Sequence, residues 1–289
     1  MNHIDLTQGN VTEKLLKLSI PVIATSLLQM SYNAIDMLLV GRLGSESVAA
    51  VGVASFLIML IHAIQAMVLV GTGIMVSHAL GEKNEKKQHQ NINASFRLNF
   101  IFAWILVITA IIMGPAFIRL MNVDNPEVKR LAYHYLLASA LGIFFTLFNL
   151  WYSRIYNSFG LNEKAFKISA LGFIVNIFLA VLFIYIFDLG VIGAGLSTVG
   201  AHLIMVILFF NDSKNLFCLD LNVTIPLKIY IKVLKLGFPI AIQRILFSLV
   251  NITLGTMIAS FGTTALAAQK IGLQIESILI VHKKKKILE

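Results

Sequence analysis

The sequence predicts an all-α polytopic membrane protein. Of its 289 residues, 58% are hydrophobic and 13% are charged, and a soluble core of this size does not bury that much apolar surface. The apolar residues form runs of about 20 or more, the length of a membrane-spanning helix. A stretch near the start also recurs in the second half. These observations predict one six-helix lobe, followed by the first two helices of a parallel second lobe, the last of them incomplete.

The apolar runs define eight predicted spans. These spans fall at 15–40, 48–79, 95–121, 131–158, 166–187, 189–211, 230–260 and 264–281. The polar segments between them are predicted loops, and they include 81–91, 122–130, 160–164 and 211–228. We therefore divide the chain into an N-terminal lobe at 1–212, a cytoplasmic linker at 213–229 and the start of a second lobe at 230–289.

An internal repeat supports this division. LLKLSIPVIA at 15–24 matches VLKLGFPIAI at 233–242, which aligns Pro21 with Pro239 at an offset of 218 residues. The same ungapped offset aligns Asn33 with Asn251, Gly44 with Gly262 and a run of small residues that follows each glycine. Because six spans precede the second copy, both copies begin on the same side of the membrane, and the repeat is parallel. Parallel halves imply a cleft between two helix bundles.

The second copy of the repeat is shorter than the first. At the offset of 218, position 289 aligns with Gly71, and the four lysines at 283–286 align with the apolar middle of the second span. A membrane helix does not accept four lysines there, so we expect a truncated or frame-shifted chain. The alternative is a natural basic tail that binds anionic lipid.

The distribution of charge predicts the orientation. The net charge is +9, but the basic residues lie in short loops, and no basic face with interleaved aromatics suggests a nucleic-acid partner. Twelve lysines and arginines fall on the side of the N-terminus against four on the other, which places the N-terminus in the cytoplasm. Residues 1–14 are polar and do not resemble a secretory signal. The single cysteine, Cys218, excludes an internal disulfide.

The stretch SYNAIDMLLVGRLG at 31–44 carries the most informative polar residue, Asp36. A carboxylate in an apolar span costs about 2.5–3.5 kcal/mol on insertion scales, so it usually faces a partner or a wet cavity. Tyr32, Asn33 and Gln29 fall on the same side of the helix. Asp36 is therefore predicted to be functional and part of a polar seam.

This first helix, together with LGFIVNIFLAVLFIYIFDLGVIGAGLSTVGA at 171–201 and the repeat start LKLGFPIAI, resembles the multidrug and toxic compound extrusion (MATE) family of antiporters. The resemblance covers residues 8–278. It implies two six-helix lobes, export of amphipathic and often cationic compounds, and drive by sodium ions or protons. Carried over to this sequence, the family's cation-binding cluster matches Asp36, Tyr32, Asn176 and Thr198. The family often shows a second carboxylate four residues after that asparagine, whereas Ala180 stands here. Asp36 would then be the one carboxylate of the cluster and, with the hydroxyl and amide oxygens, would hold one proton or one sodium ion more weakly or with altered preference.

Further polar residues are candidates for the substrate cleft. They comprise Gln29 and Asn33 on the first span, Asn149 on the fourth, Gln243, Arg244 and Asn251 on the seventh, and Glu276 on the eighth. As an alternative to a role in the cleft, the Arg244 side chain would extend so that its charged group reaches the membrane surface. We interpret His62, Gln65 and His78 on the second span as buried hydrogen-bonding or interface residues.

The predicted function is that of a cation-coupled efflux antiporter, a monomeric multi-pass protein of a prokaryotic cytoplasmic membrane that contacts lipid and a small-molecule substrate. Two alternatives stay open: a flippase of lipid-linked saccharides from the same superfamily, which would need an arginine-lined cavity, and an inactive truncated product. We expect no enzyme activity, no cofactor beyond the coupling ion and no use of ATP, since the sequence contains neither a catalytic constellation nor a phosphate loop.

Overall fold

The computed structural model describes residues 11–220 and 222–273, and these residues fold into helices joined by short connections. The helices are α1 (Val11–Gly41), α2 (Ser45–Gly81), α3 (Glu85–Leu120), α4 (Pro126–Ser158), α5 (Asn162–Val181, continued by a π-helical turn at Leu182–Ile186), α6 (Gly190–Ser213), α7 (Leu227–Ala259) and α8, described from 263 to 273. Within the described residues, seven helices are long and apolar enough to cross a membrane. The predicted all-α membrane fold is confirmed.

Several predicted helix starts were too late because hydropathy marks only the part of a helix that lies in lipid. The prediction of a loop over 81–91 was wrong: α3 begins at Glu85, where the Asn84 side chain accepts a hydrogen bond from the Lys87 amide at 2.9 Å. In the same way, α4 begins at Pro126 because Asn125 caps it. Capping side chains satisfy amides that the helix itself leaves free, so they decide where it begins. Polar turns thus extend the helices beyond the apolar spans.

The helix α4 lies in the middle of the bundle, in contact with α2, α3, α5 and α6. Its Trp151 is fully buried and donates its indole N–H to Ser95 on α3 at 3.0 Å. Tyr152 stacks on Phe209 of α6, with ring centroids 5.5 Å apart. These aromatic contacts fix α4 against α3 and α6 with both packing and hydrogen bonding.

The helices α2 and α7 pack closely and run in opposite directions. A Cβ atom on Gly71 would overlap the carbonyl oxygen of Val233, and one on Gly237 would overlap the carbonyl oxygen of Met67. Small residues let membrane helices approach to this distance. Contacts that lie further towards the C-terminus of α2 lie further towards the N-terminus of α7, so these two helices are antiparallel. The helix α1 is also antiparallel to α2. Hence α1 and α7 run in the same direction, as a parallel repeat requires.

The turn that ends α1 is repeated at the end of α7. Gly44 has φ +108° and Gly262 has φ +104°. The amide of Gly44 donates to Gly41 O, and its own carbonyl accepts from the amide of Val48. The same two hydrogen bonds occur 218 residues later, from Gly262 to the carbonyl of Ala259 and from Leu266 to Gly262. The repeat seen in the sequence is therefore a repeat of backbone conformation.

The segment between α6 and α7 is held against α3. The Asn93 side chain donates to the carbonyl of Cys218 at 3.2 Å and accepts from the amide of Asp220 at 2.8 Å. One turn further, Arg97 donates to the carbonyl of Val223 at 2.7 Å. Here α6 ends at Ser213 and α7 begins at Leu227, and the division of the chain into two lobes and a linker at 213–229 stays a prediction. The contacts that fasten this segment to α3 were not predicted.

Candidate functional site

A cavity of about 470 Å³ opens between the helices, and Asp36 lies on its wall. Residues from α1, α2, α4, α5, α6 and α8 line it. Much of the wall is apolar, including Met59 of α2, Phe173 of α5 and Met205 of α6. More than half of the lining residues nevertheless have polar side chains, most of them neutral. Cavities of this size are typical of small-molecule sites.

The four polar residues of the α1 stripe lie on the wall of one cavity. Gln29, Tyr32, Asn33 and Asp36 all line the cavity. The Oδ1 atom of Asp36 is buried and has no hydrogen-bond partner among the described residues. A buried carboxylate oxygen without a partner is costly unless it binds a proton, a cation or water. The geometry therefore leaves Asp36 with a free ligand atom.

Tyr32 and Thr198 join α1 to α6 beside Asp36. Their hydroxyl oxygens are 3.2 Å apart, and Thr198 donates its own hydrogen to the carbonyl of Ala194 at 3.1 Å. Tyr32 must then be the donor to Thr198, since each hydroxyl has one hydrogen. Thus three members of the predicted cation cluster, Asp36, Tyr32 and Thr198, lie on the wall of one cavity.

Asn176 occupies a different position from these three. It lies on α5, 2% exposed, and is not part of the cavity wall. Its Nδ2 atom has no hydrogen-bond partner within the part of the chain that the structure describes. Ala180, where the family often has a carboxylate, is fully buried in an apolar cluster with Met37 and Val40 of α1. The packing of α1 on α5 here is therefore apolar at the position of the missing carboxylate.

The predicted substrate-cleft residues on α1 and α4 line the cavity, whereas those on α7 do not. Asn149 of α4 lines the cavity with Gln29 and Asn33. The α7 candidates Gln243 and Arg244 are exposed and do not line it. Asn251 donates to the Phe247 carbonyl of its own helix at 2.8 Å and is also absent from the wall. Glu276 lies outside the described residues.

The three polar residues singled out on α2 have different surroundings. Gln65 is buried and donates to Asn99 of α3, as predicted. His62 lines the cavity, and its Nε2 atom has no hydrogen-bond partner among the residues described. His78 is exposed near the end of α2, so it is not one of the buried hydrogen-bonding residues, and its interpretation as an interface residue stays a prediction.

His202 and Lys270 also lie on the cavity wall, and neither was predicted to be there. The Asn149 amide donates to the backbone carbonyl of His202 at 3.1 Å, and the same amide nitrogen lies 2.9 Å from the ring Nδ1 atom of His202. The Tyr32 ring packs edge-on against His202. His202 could have been identified in the sequence as a single histidine inside a predicted span. Lys270 could have been identified as a charged residue in the eighth span, but the sequence alone does not show that it lines the same cavity as Asp36.

Comparisons with known proteins agree with this architecture. The model of the MatE family matches residues 21–182, more than half of the chain. The chain is 25% identical over 265 residues to the probable multidrug resistance protein YpnP of Bacillus subtilis, covering 91% of this chain and 59% of that protein. It is 24% identical over 277 residues to the multidrug export protein MepA of Staphylococcus saprophyticus, covering 93% and 60%. The chain spans about 60% of the length of these curated relatives.

Solved structures show the same fold. A multidrug resistance MATE family transporter of the MOP superfamily in an outward-facing conformation superposes with a TM-score of 0.85 at 25% identity, covering 97% of this chain and 63% of that one. An inward-facing conformation of such a transporter gives a TM-score of 0.80 at 25% identity, covering 93% and 62%. With the family model, the apolar helices and the repeated turn in agreement, the chain belongs to the MatE family.

Proposed function

We propose that this chain is the ion-binding part of an efflux antiporter that exports amphipathic, often cationic compounds, and that Asp36 holds the coupling cation, a proton or a sodium ion. The observation that carries the proposal is the unpartnered Oδ1 atom of Asp36 on the cavity wall. The proposal draws further support from relatives that are described as multidrug export or resistance proteins.

The surroundings of Asp36 supply oxygen ligands for a hard cation. The Tyr32 and Thr198 hydroxyls lie on the same wall, and hydroxyl and carboxylate oxygens suit sodium and proton binding alike. The Tyr32–Thr198 hydrogen bond ties α1 to α6, while α1 packs chiefly on α5. A cation on Asp36 therefore acts at the point where α1 is held to the rest of the bundle.

Coupling requires that the cation bind the outward-open and inward-open states with different affinity, since a ligand that binds both equally shifts nothing. We infer that cation binding satisfies the free Oδ1 atom of Asp36 and so favours the α1 position in which Tyr32 and Thr198 are joined. Release of the cation on the cytoplasmic side reverses this preference. The drug then moves in the opposite direction through the same cavity.

The cavity wall supports a preference for amphipathic substrates. Its aromatic and methionine side chains offer adaptable apolar contacts, and the side-chain amides of Gln29, Asn33 and Asn149 are among its polar groups. The flippase alternative draws less support, because no arginine is among the described residues of the wall. Lys270 supplies the single basic side chain there besides the histidines.

We place the protein as a monomer in the cytoplasmic membrane of a prokaryote with its N-terminus in the cytoplasm. The bacterial sources of the relatives and the excess of basic residues on the side of the N-terminus support this placement. The predicted partners are lipid and the small-molecule substrate.

The test is ion-driven export in proteoliposomes. The chain would be reconstituted alone and, separately, fused to the C-terminal remainder of a relative, with ethidium as the fluorescent cationic substrate. An inward proton or sodium gradient should drive ethidium out, and Asp36→Asn should abolish this export. Asp188→Asn is the matched control, because Asp188 is exposed in a turn whose left-handed conformation asparagine accepts. Export that is unchanged in Asp36→Asn would remove the proposal, and absence of export from both forms would favour the inactive alternative.

A further inference from the structure

Lys270 reaches the cavity of Asp36 across the surface of α2. Its Cβ, Cγ and Cδ atoms lie 3.6, 3.8 and 4.0 Å from the position that a Cβ on Gly52 would occupy. The side chain then contributes to the cavity wall with Val51 and Ser55 of α2. The missing side chain at Gly52 thus provides the groove along which the lysine stem lies.

The repeat gives this contact a definite place in the molecule. At the offset of 218, Lys270 is the equivalent of Gly52. Two equivalent positions of a two-fold repeat can touch only near the axis that relates the copies. Leu266 and Ala267 of α8 also pack against the start of α2. Lys270 therefore extends from the second copy, beside the axis, into the site of the first.

The cavity contains one carboxylate and one ammonium group. Among the described residues of its wall, Asp36 is the single acidic side chain, and Lys270 is the single lysine or arginine. A charge at membrane depth is usually paired, and charges held in a low-dielectric cavity attract over longer distances than they do in water. No other fixed positive charge on the described wall can balance Asp36.

We propose that Lys270 is the built-in counter-charge of Asp36 when no coupling cation is bound. The long, flexible lysine stem lets the ammonium group approach the carboxylate through the cavity. This assignment rests on the proposed function, since it gives the coupling cation a competitor that belongs to the chain. A proton or sodium ion on Asp36 would release Lys270, so that ion binding in the first copy of the repeat changes a contact made by the second.

A zero-length cross-link tests the pairing. Dicyclohexylcarbodiimide activates a carboxyl group, a nearby lysine amine attacks the activated carbonyl carbon, an amide bond forms, and dicyclohexylurea leaves. The purified 289-residue chain in detergent would be treated and digested, and the peptides would be analysed by mass spectrometry. We expect an Asp36–Lys270 cross-link with a mass lower by one water than the two unlinked peptides. The Lys164–Asp212 ion pair, at 2.9 Å, is the internal positive control.

Single substitutions should remove the Asp36–Lys270 cross-link or keep it, depending on the group that they change. Asp36→Asn and Lys270→Met should each lose the cross-link and keep that of Lys164–Asp212. Gly52→Leu should also lose it because the new side chain fills the groove, whereas Gly52→Ala should keep it, since an added Cβ makes only ordinary contact there. A Lys164–Asp212 product without an Asp36–Lys270 product in the unmodified chain would overturn the proposal.

Thermal unfolding gives a second measurement. The shift of the midpoint in Asp36→Asn/Lys270→Met should be smaller than the sum of the two single shifts, because the double variant leaves no unpaired charge. In the control, the midpoint shifts of Asp36→Asn and Lys164→Met should add in the double variant, because these two residues are not paired. If the midpoint shifts also add in Asp36→Asn/Lys270→Met, the pairing of Asp36 with Lys270 is overturned. Ion-driven export without the cross-link would refute the pairing and leave the proposed function standing. A cross-link without export would support the pairing and contradict the proposed function.

Discussion

Gly44 and Gly262, 218 residues apart, hold the same left-handed turn, with φ of +108° and +104°. In each copy the turn joins a helix that contains an internal proline, Pro21 in α1 and Pro239 in α7, to the helix that follows. The turn therefore sets the start of α2 and of α8, and with it the positions at which Gly52 and Lys270 meet.

Alanine at Gly44 should destabilise the protein by about 1–3 kcal/mol, because the backbone conformation of φ +108° and ψ +170° is almost restricted to glycine. The measurement is the free energy of unfolding in mixed detergent micelles. Gly41→Ala is the matched control: Gly41 ends α1 in open space, and alanine should be neutral or slightly stabilising there. Equal effects of the two changes would contradict the role of the turn.

The Tyr32–Thr198 hydrogen bond should contribute about 0.6–1.7 kcal/mol, the range measured for bonds between membrane helices. A double-mutant cycle of Tyr32→Phe and Thr198→Val, followed by unfolding in detergent, would give this coupling energy. The control cycle pairs Tyr32→Phe with Thr146→Val, since the Thr146 hydroxyl donates within its own helix to Gly142. A coupling near zero in the first cycle would show that α1 is not held to α6 by this contact.

Removal of the Asn93 side chain should loosen the segment between α6 and α7. In Asn93→Ala, the Asp220 amide loses its acceptor at 2.8 Å, so its hydrogen exchange should become faster, and trypsin should cut sooner near this segment. Asn91→Ala is the comparison, because Asn91 donates to Met75 of α2 and not to the linker. The prediction fails if both variants protect the Asp220 amide as well as the parent does.

The cavity should admit water-soluble reagents. In a Cys218→Ser background, a cysteine at Thr146, on the cavity wall, should react with a small charged methanethiosulfonate. A cysteine at Ser197, which is fully buried outside the wall, should react far more slowly. Equal rates at the two positions would contradict an accessible cavity. Lys270→Met should leave the ranking of the two rates unchanged, because neither residue depends on that lysine.

Within the described residues, hydropathy and the ungapped repeat were sufficient to predict the helices α1 to α7, the start of α8 and the parallel direction of α1 and α7, because membrane spans have a fixed length and backbone turns repeat with the sequence. Helix ends were predicted less well. Capping by Asn84 and Asn125 extends α3 and α4 into polar segments, and hydropathy does not register such hydrogen bonds.

The sequence by itself determined the fold class and identified Asp36 as a residue that needs a partner, since a carboxylate in an apolar helix is costly wherever that helix packs. It did not determine the partner. Lys270 reaches the site across Gly52 because α2 and α8 pack near the repeat axis, and Asn176 is excluded from the wall because α5 turns it into the packed interior. These relationships join residues far apart in the chain, so only the tertiary structure could decide them.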